Sequence, residues 1–309
     1  MGKIGFIFPG QGAQSVGMGK DIIEKNEKSK AIYDKANALL DFDLEAICFT
    51  DNDLINQTNY TQPALLTTSV ALLEAIKDQG IIPDMVAGLS LGEYAALVAN
   101  GAITFEDAIV LVRKRGEYME AAAQASEGGM AAIIGSDEET IKGIIDSVDG
   151  YLGIANYNNP KQIVISGEIK SLNKAVELFT EKGIKAIPLK VSGAFHSQLM
   201  KPAADALALA LEDITVKPFT TAYYTNVTGQ VVMDRKQVKS LLVDQVVGSV
   251  RWEENVVNMI AAGVDLFIEI GPGQTLKGLI KKIDRKAKVI NVYDQETLDN
   301  LIIYMEERS

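Results

Sequence analysis

The sequence predicts an α/β fold with a mainly parallel sheet and a small inserted βαββαβ unit, and three observations carry that prediction. Short apolar runs alternate with amphipathic helical stretches almost throughout the 309 residues. Near Gly128 the rhythm changes to strand, helix, strand, strand, helix, strand, the order of a ferredoxin-like unit. The strand–helix alternation then resumes beyond position 191. The expected organisation is a large discontinuous domain, 1–126 and 192–309, interrupted by a small one, 127–191.

Taken in order, "KIGFIFPG" reads as a first strand ending in a Gly-rich turn. "TQPALLTTSVALLEAIKDQG" reads as a helix capped by Thr61, with Pro63 in its first turn and Gly80 at its end. "DMVAG" is a strand, and "LGEYAALVANG" is the helix after it, closed by Asn100-Gly101. Thr104 and Asp107 then stand in capping-box spacing at the head of "TFEDAIVLVRKRGEYMEAAAQ". Within the insertion, "GGMAAIIG", "YLGIANYNN", "QIVISGE" and "IKAIPLKV" supply the strands, and "DEETIKGIIDSV" and "KSLNKAVELFTEKG" the helices. "DLFIEIGPG", "QTLKGLIKKI", "KVINVY" and a terminal helix complete the larger domain.

A net charge of −11 disfavours nucleic acid or an anionic membrane as a general partner. One cysteine, Cys48, excludes an internal disulfide and a cysteine metal cluster, and no metal site is expected. The N-terminus reaches Pro9 and Gly10 too soon for a signal peptide, and Phe6 stands where a myristoylation pattern wants Ser or Thr. No apolar run is long enough to span a bilayer, so a cytoplasmic protein is expected.

Chemistry concentrates first at Gly88-Leu89-Ser90-Leu91-Gly92, between a predicted strand and a predicted helix. In that setting a sharp turn thrusts the serine outward, flanking glycines permit close strand–helix packing, and the helix N-terminus adds a positive dipole. The bland alternative is a helix-capping serine. A nucleophilic serine needs a base, and His196 in "VSGAFHSQLM" is the single histidine of the chain. Its imidazole titrates near neutrality, and its place in a turn leading to a helix suits catalysis, although a lone histidine can equally be filler. No acid downstream of His196 stands in a clear triad context.

On the helix near 105–123, Ala108, Leu111, Val112, Arg115, Tyr118, Met119 and Ala122 share one stripe, which puts a guanidinium at the centre of an apolar face. A buried guanidinium keeps its charge and must meet an anion. That anion is either an internal Asp or Glu, or a substrate carboxylate held in a bidentate fork. "PGQGAQSVG" has Ser15 where a dinucleotide fingerprint needs glycine, and it lacks the Gly-Lys-Ser/Thr of a P-loop, which excludes NAD and ATP there. A loop after a first strand can instead offer a backbone N–H to an oxyanion, paired with the N–H of Leu91.

Together "FPGQGAQ", "GLSLGEY", "RKRGEYM", "ANYNNPKQIVISG", "GAFHSQLM" and "EIGPGQTL", in order from Pro9 to Leu276, resemble the malonyl-CoA:acyl carrier protein transacylases of fatty-acid synthesis. The resemblance implies a hydrolase-like core with a ferredoxin-like insertion. It also implies ping-pong transfer of malonyl from malonyl-CoA to Ser90 and on to the phosphopantetheine thiol of an acyl carrier protein. In that scheme His196 is base and then acid, oriented by the backbone carbonyl of Gln245 rather than by an acid. Arg115 grips the malonyl carboxylate, and the N–H groups of Gln11 and Leu91 hold the oxyanion. Phe195 resembles the malonyl-selecting form of related domains, in which a smaller residue admits an α-methyl.

The implied partners are malonyl-CoA and an acidic carrier protein met by a monomer without a cofactor of its own. Two departures stand out. Leu89 replaces the family's usual histidine, which should alter pocket polarity. Gly248-Ser249-Val250 replaces the usual Ser-Pro-Val, which puts the geometry at Gln245 in question. Lys277, Lys281, Lys282, Arg285 and Lys286 form a basic cluster that fits either an acidic partner or a solvated helix face. The rival functions are a serine esterase or thioesterase and, given Leu89, a non-catalytic interaction module.

Overall fold

The computed structural model describes residues 2–308. Its strands, in chain order, are β1 (Lys3–Phe8), β2 (Met85–Gly88), β3 (Gly128–Ile134), β4 (Leu152–Asn159), β5 (Gln162–Glu168), β6 (Lys185–Pro188), β7 (Ala222–Tyr224), β8 (Val231–Val232), β9 (Val264–Ile270) and β10 (Lys288–Val292). Six of them form a sheet in the order β10-β9-β1-β2-β7-β8, parallel throughout except for the antiparallel edge pair β7–β8. Its central strands are apolar without alternation because helices cover both faces. Phe6, Phe8, Val86 and Ile268 pack into one core, and Ile7, Ala87 and Phe267 point the other way into a second core around Trp252 and Met259.

The remaining four strands form a separate antiparallel sheet in the order β4-β5-β3-β6. With helices Glu138–Asp146 and Ile169–Glu181 between its strands, this is the ferredoxin-like pattern the sequence predicts. Those helices cover one face through Ile141, Ile144, Leu172 and Phe179. Met130, Ala132, Ala155 and Val164 join the main core from the opposite face. The β4 edge is also stitched to the loop at Gly248-Ser249-Val250. Val250 N–H donates to the Ala155 carbonyl, Tyr157 N–H donates to the Val250 carbonyl, both at 2.8 Å, and Ser249 Oγ donates to the Ile154 carbonyl.

One helix boundary differs from the sequence expectation. The helix runs Thr58–Asp78, so Thr61 is no cap and Pro63 lies inside rather than in the first turn. Proline has no N–H to give the Asn59 carbonyl, but the freed acceptor is not orphaned: Arg113 Nη1 donates to it at 2.9 Å. The Arg113 guanidinium lies over the rings of Phe42 and Tyr60, which holds it there. The expected Thr104 cap is present, its hydroxyl accepting from Asp107 N–H.

Candidate active site

Ser90 follows β2 directly and precedes the helix Gly92–Ala99. The close packing that the glycines were expected to permit is severe. A Cβ on Gly88 would stand 1.9 Å from the Gly92 carbonyl carbon, and one on Gly92 would stand 2.1 Å from the Phe8 carbonyl oxygen. The serine is held at φ 53°, and only one other non-glycine among the described residues has positive φ: His196, at 55°. Such backbone costs on the order of 1–3 kcal/mol and persists where surrounding contacts enforce it. Both strained residues face the same cleft.

That cleft, about 920 Å³, opens between the parallel sheet and the inner face of the antiparallel one. Ser90 Oγ and His196 Nε2 are 2.8 Å apart across it. On the far side of the ring, Nδ1 lies 2.8 Å from the Gln245 carbonyl oxygen. A carbonyl only accepts, so Nδ1 carries the proton and Nε2 presents its lone pair to the serine hydroxyl. Gln245 lies in the last turn of helix Val238–Val247, where carbonyls lack intrahelical donors, so its oxygen is free for the imidazole. The departure at Gly248-Ser249-Val250 leaves this contact intact, since the β4 edge anchors that loop. Burial, and then the nearby Arg115 charge, hold the His196 imidazole down at about 4, opposed by the carbonyls of Gln245 and Gly248. At neutral pH it is the free base.

Arg115, 1% exposed, makes no ion pair among the described residues, so the internal salt-bridge alternative does not describe it. Neutral oxygens hold the guanidinium instead. Nη1 donates to Gln62 Oε1 at 2.7 Å, and Nη2 donates to Gln245 Oε1 at 3.1 Å and to Ser90 Oγ at 3.3 Å. Its Nε has no hydrogen-bond acceptor among the described residues, and Tyr94 lies under the charge at 5.5 Å. A positive charge is therefore held beside the serine with no carboxylate in hydrogen-bond contact, although the buried Glu93 acts on it through space, and such an arrangement can receive an anion.

Gln11, in the loop after β1, and Leu91 both line the cleft, and neither backbone N–H donates to a protein acceptor among the described residues. Ser90 N–H, by contrast, is taken by Asn226 Oδ1 at 2.6 Å. Phe195 is buried in the wall with Met119, Met130 and Val164. Leu89 lies in the opposite wall with Leu279 and packs on the core beneath the helix Thr275–Ile283. Glu269 holds the N-terminus of that helix, accepting from the N–H groups of Leu276 and Lys277. Of the basic cluster, Lys281, Lys282, Arg285 and Lys286 are exposed, and Lys277 is half-buried and donates to Asn291.

Sequence reasoning missed Gln62, Glu93, Asn226 and the side chain of Gln245. Asn226 braces the elbow, with Nδ2 donating to the Gly88 carbonyl at 2.7 Å and to Asn255 Oδ1 at 3.0 Å. Gln62 shares its helix with many other polar residues, Asn59, Thr61, Thr67, Thr68 and Ser69 among them, so nothing in the sequence singles it out. Asn226 follows the three-residue strand β7, too short to register as a strand.

A family model described as "Acyl transferase domain" matches residues 5–301. The malonyl CoA-acyl carrier protein transacylase of Bacillus subtilis (strain 168) is 48% identical over 314 residues, covering 100% of this chain and 99% of that protein. The crystal structure of the malonyl CoA-acyl carrier protein transacylase from Clostridium perfringens is similar at TM-score 0.96 and 41% identity, covering 99% and 98% of the two chains. A malonyl-transacylase solved in complex with a type II PKS acyl-carrier protein matches at TM-score 0.94 and 36% identity, covering 98% and 99%.

Proposed function

This chain belongs to the acyl transferase domain family, and from that premise we propose that it moves malonyl from malonyl-CoA to the phosphopantetheine thiol of an acyl carrier protein in fatty-acid synthesis. The observation that carries the reading is the buried guanidinium of Arg115, in contact with no carboxylate, beside the Ser90 hydroxyl. A thioesterase acting on simple acyl groups has no use for it, whereas malonyl ends in a carboxylate.

The chemistry runs in two symmetrical halves. Ser90 Oγ attacks the thioester carbon as its proton passes to His196 Nε2, and the carbonyl oxygen becomes an oxyanion held by the N–H groups of Gln11 and Leu91. Collapse breaks the C–S bond, His196 returns the proton to the CoA sulfur, and malonyl remains as an ester on Ser90. The carrier thiol then gives its proton to His196 and attacks that ester, and Ser90 leaves with the proton restored.

A neutral carbonyl suits this histidine. It fixes the tautomer and favours the transient imidazolium without placing a second negative charge near the malonyl carboxylate. Phe195 narrows the wall against an α-methyl group, and Leu89 makes the opposite wall apolar. The enzyme needs no cofactor of its own and acts as a monomer in the cytoplasm; its carrier partner is acidic and is met by the exposed lysines and arginine after Thr275. No helix among the described residues is long and apolar enough to cross a membrane. Incubation with malonyl-CoA and holo carrier protein tests the reading: malonyl-carrier is expected, and free malonate without malonyl-carrier would assign the chain to the thioesterases.

A further inference from the structure

Behind the cleft lies a carboxylate to which the scheme above gives no part. Glu93 is fully buried one turn beyond Ser90, and no lysine or arginine pairs with it among the described residues. Oε1 accepts from Asn226 N–H and Oε2 accepts from Gln245 Nε2, and the hydroxyls of Tyr223 and Thr225 also lie against the carboxylate. The same Nε2 donates to the Ser90 carbonyl at 3.0 Å, and the Oε1 of that amide accepts from Arg115 Nη2.

A primary amide is nearly symmetrical in shape, so sterics alone leave Gln245 free to turn over. The polarity of its neighbours decides the matter. Burial raises the Glu93 carboxyl to about 7, so at pH 8 it is ionised and only accepts, which turns the amide nitrogen toward Glu93 and leaves the oxygen for Arg115. We propose that Glu93 is a positioning residue for malonyl selection, its carboxylate fixing the Gln245 amide and through it the aim of the Arg115 guanidinium. The inference rests on the malonyl-transfer reading of the site.

Replacing Glu93 by glutamine removes one of the two acceptors with little change in shape. The Asn226 N–H belongs to the backbone and cannot turn, so the new amide gives it the oxygen and points its own nitrogen at Gln245. Gln245 must then turn over to accept, which sets its nitrogen against Arg115 and its oxygen against the Ser90 carbonyl. The guanidinium loses the Gln245 acceptor on its serine-facing nitrogen, keeping only Ser90 Oγ there, and swings from the carboxylate position.

The test compares malonyl and acetyl loading of Ser90 from the two CoA esters at pH 8, in the parent protein, Glu93→Gln, Arg115→Ala and the double variant. Glu93→Gln is expected to lower the malonyl-to-acetyl ratio roughly tenfold, the loss of one charge-assisted hydrogen bond. It should lower that ratio no further once Arg115 is already alanine. Equal losses of malonyl and acetyl in Glu93→Gln, or an undiminished effect in the Arg115→Ala background, would overturn the proposal. Should Glu93→Gln fail to fold, Glu93→Asp carries the test: a folded Glu93→Asp protein that keeps the parent ratio or loses malonyl selectively supports the proposal, and one that loses malonyl and acetyl loading alike refutes it. A parent protein that takes no malonyl at all refutes the transfer reading itself, which separates that failure from this one.

Discussion

Replacing Arg115 by alanine probes the anion receptor, and the size of the effect follows from its surroundings. The guanidinium is 1% exposed and makes hydrogen bonds only to neutral oxygens among the described residues, with Glu93 acting on it through space, so a substrate carboxylate would meet a charge with no direct counter-ion. At about 4 Å and an effective dielectric of about 20, that attraction is about 4 kcal/mol. Lost from the transition state, it corresponds to roughly a thousandfold in kcat/KM. The truncation also strips a donor from the amide oxygens of Gln62 and Gln245, a disturbance that both acyl groups feel. Acetyl-CoA supplies the control, because its methyl group gains nothing from a buried charge. The ratio of malonyl to acetyl transfer, measured in parallel on carrier protein, is expected to fall roughly a thousandfold, with acetyl loading rising. Equal loss of both activities would make Arg115 a structural residue and would refute the receptor.

Other consequences follow from the same contacts. With the neutral imidazole as the proposed base, activity is expected to fall on the acid side as pH drops through the value of His196, about 4 in the unliganded protein. Arg115 is part of what depresses that value, so in Arg115→Ala the acid limb of the acetyl-transfer profile should move up toward neutral pH; an unmoved limb would contradict it. Gly88→Ala drives a methyl group into the Gly92 backbone, and a loss of more than about 3 kcal/mol in stability, read by denaturant titration, is expected. Arg113→Ala, outside the cleft lining, frees the Asn59 carbonyl and removes two ring contacts, and should cost about 1–3 kcal/mol while leaving turnover unchanged.

Much of the architecture was legible because its signals are local. The strand β1 is an apolar run after Lys3 and β9 is mostly apolar around Asp265 and Glu269, and the change of rhythm at Gly128 marks the second sheet. The elbow was legible for the same reason, a five-residue pattern with its own steric logic. Arg115 stood out because helical periodicity turns it inward, but periodicity says nothing of what it meets, and both candidate anions stayed open until its neighbours were known. The Gln245 carbonyl was implied only by the family resemblance, for every residue has a carbonyl and none advertises its partner. Asn226, Glu93 and Gln62 come together from three distant segments, and no spacing in the chain encodes that meeting. The Thr58 start of the second long helix was missed because Pro63 normally marks a first turn, and the Arg113 side chain that compensates it lies 50 residues downstream.

The central claim is that Ser90 is a covalent way station for malonyl between two thiols. Intact-mass measurement of the protein after brief exposure to malonyl-CoA, followed by addition of holo carrier protein, tests it most directly. One malonyl group on Ser90, absent from Ser90→Ala and discharged onto the carrier thiol, is the predicted result. An unmodified serine, or an adduct that leaves as free malonate whether or not the carrier is present, would contradict it.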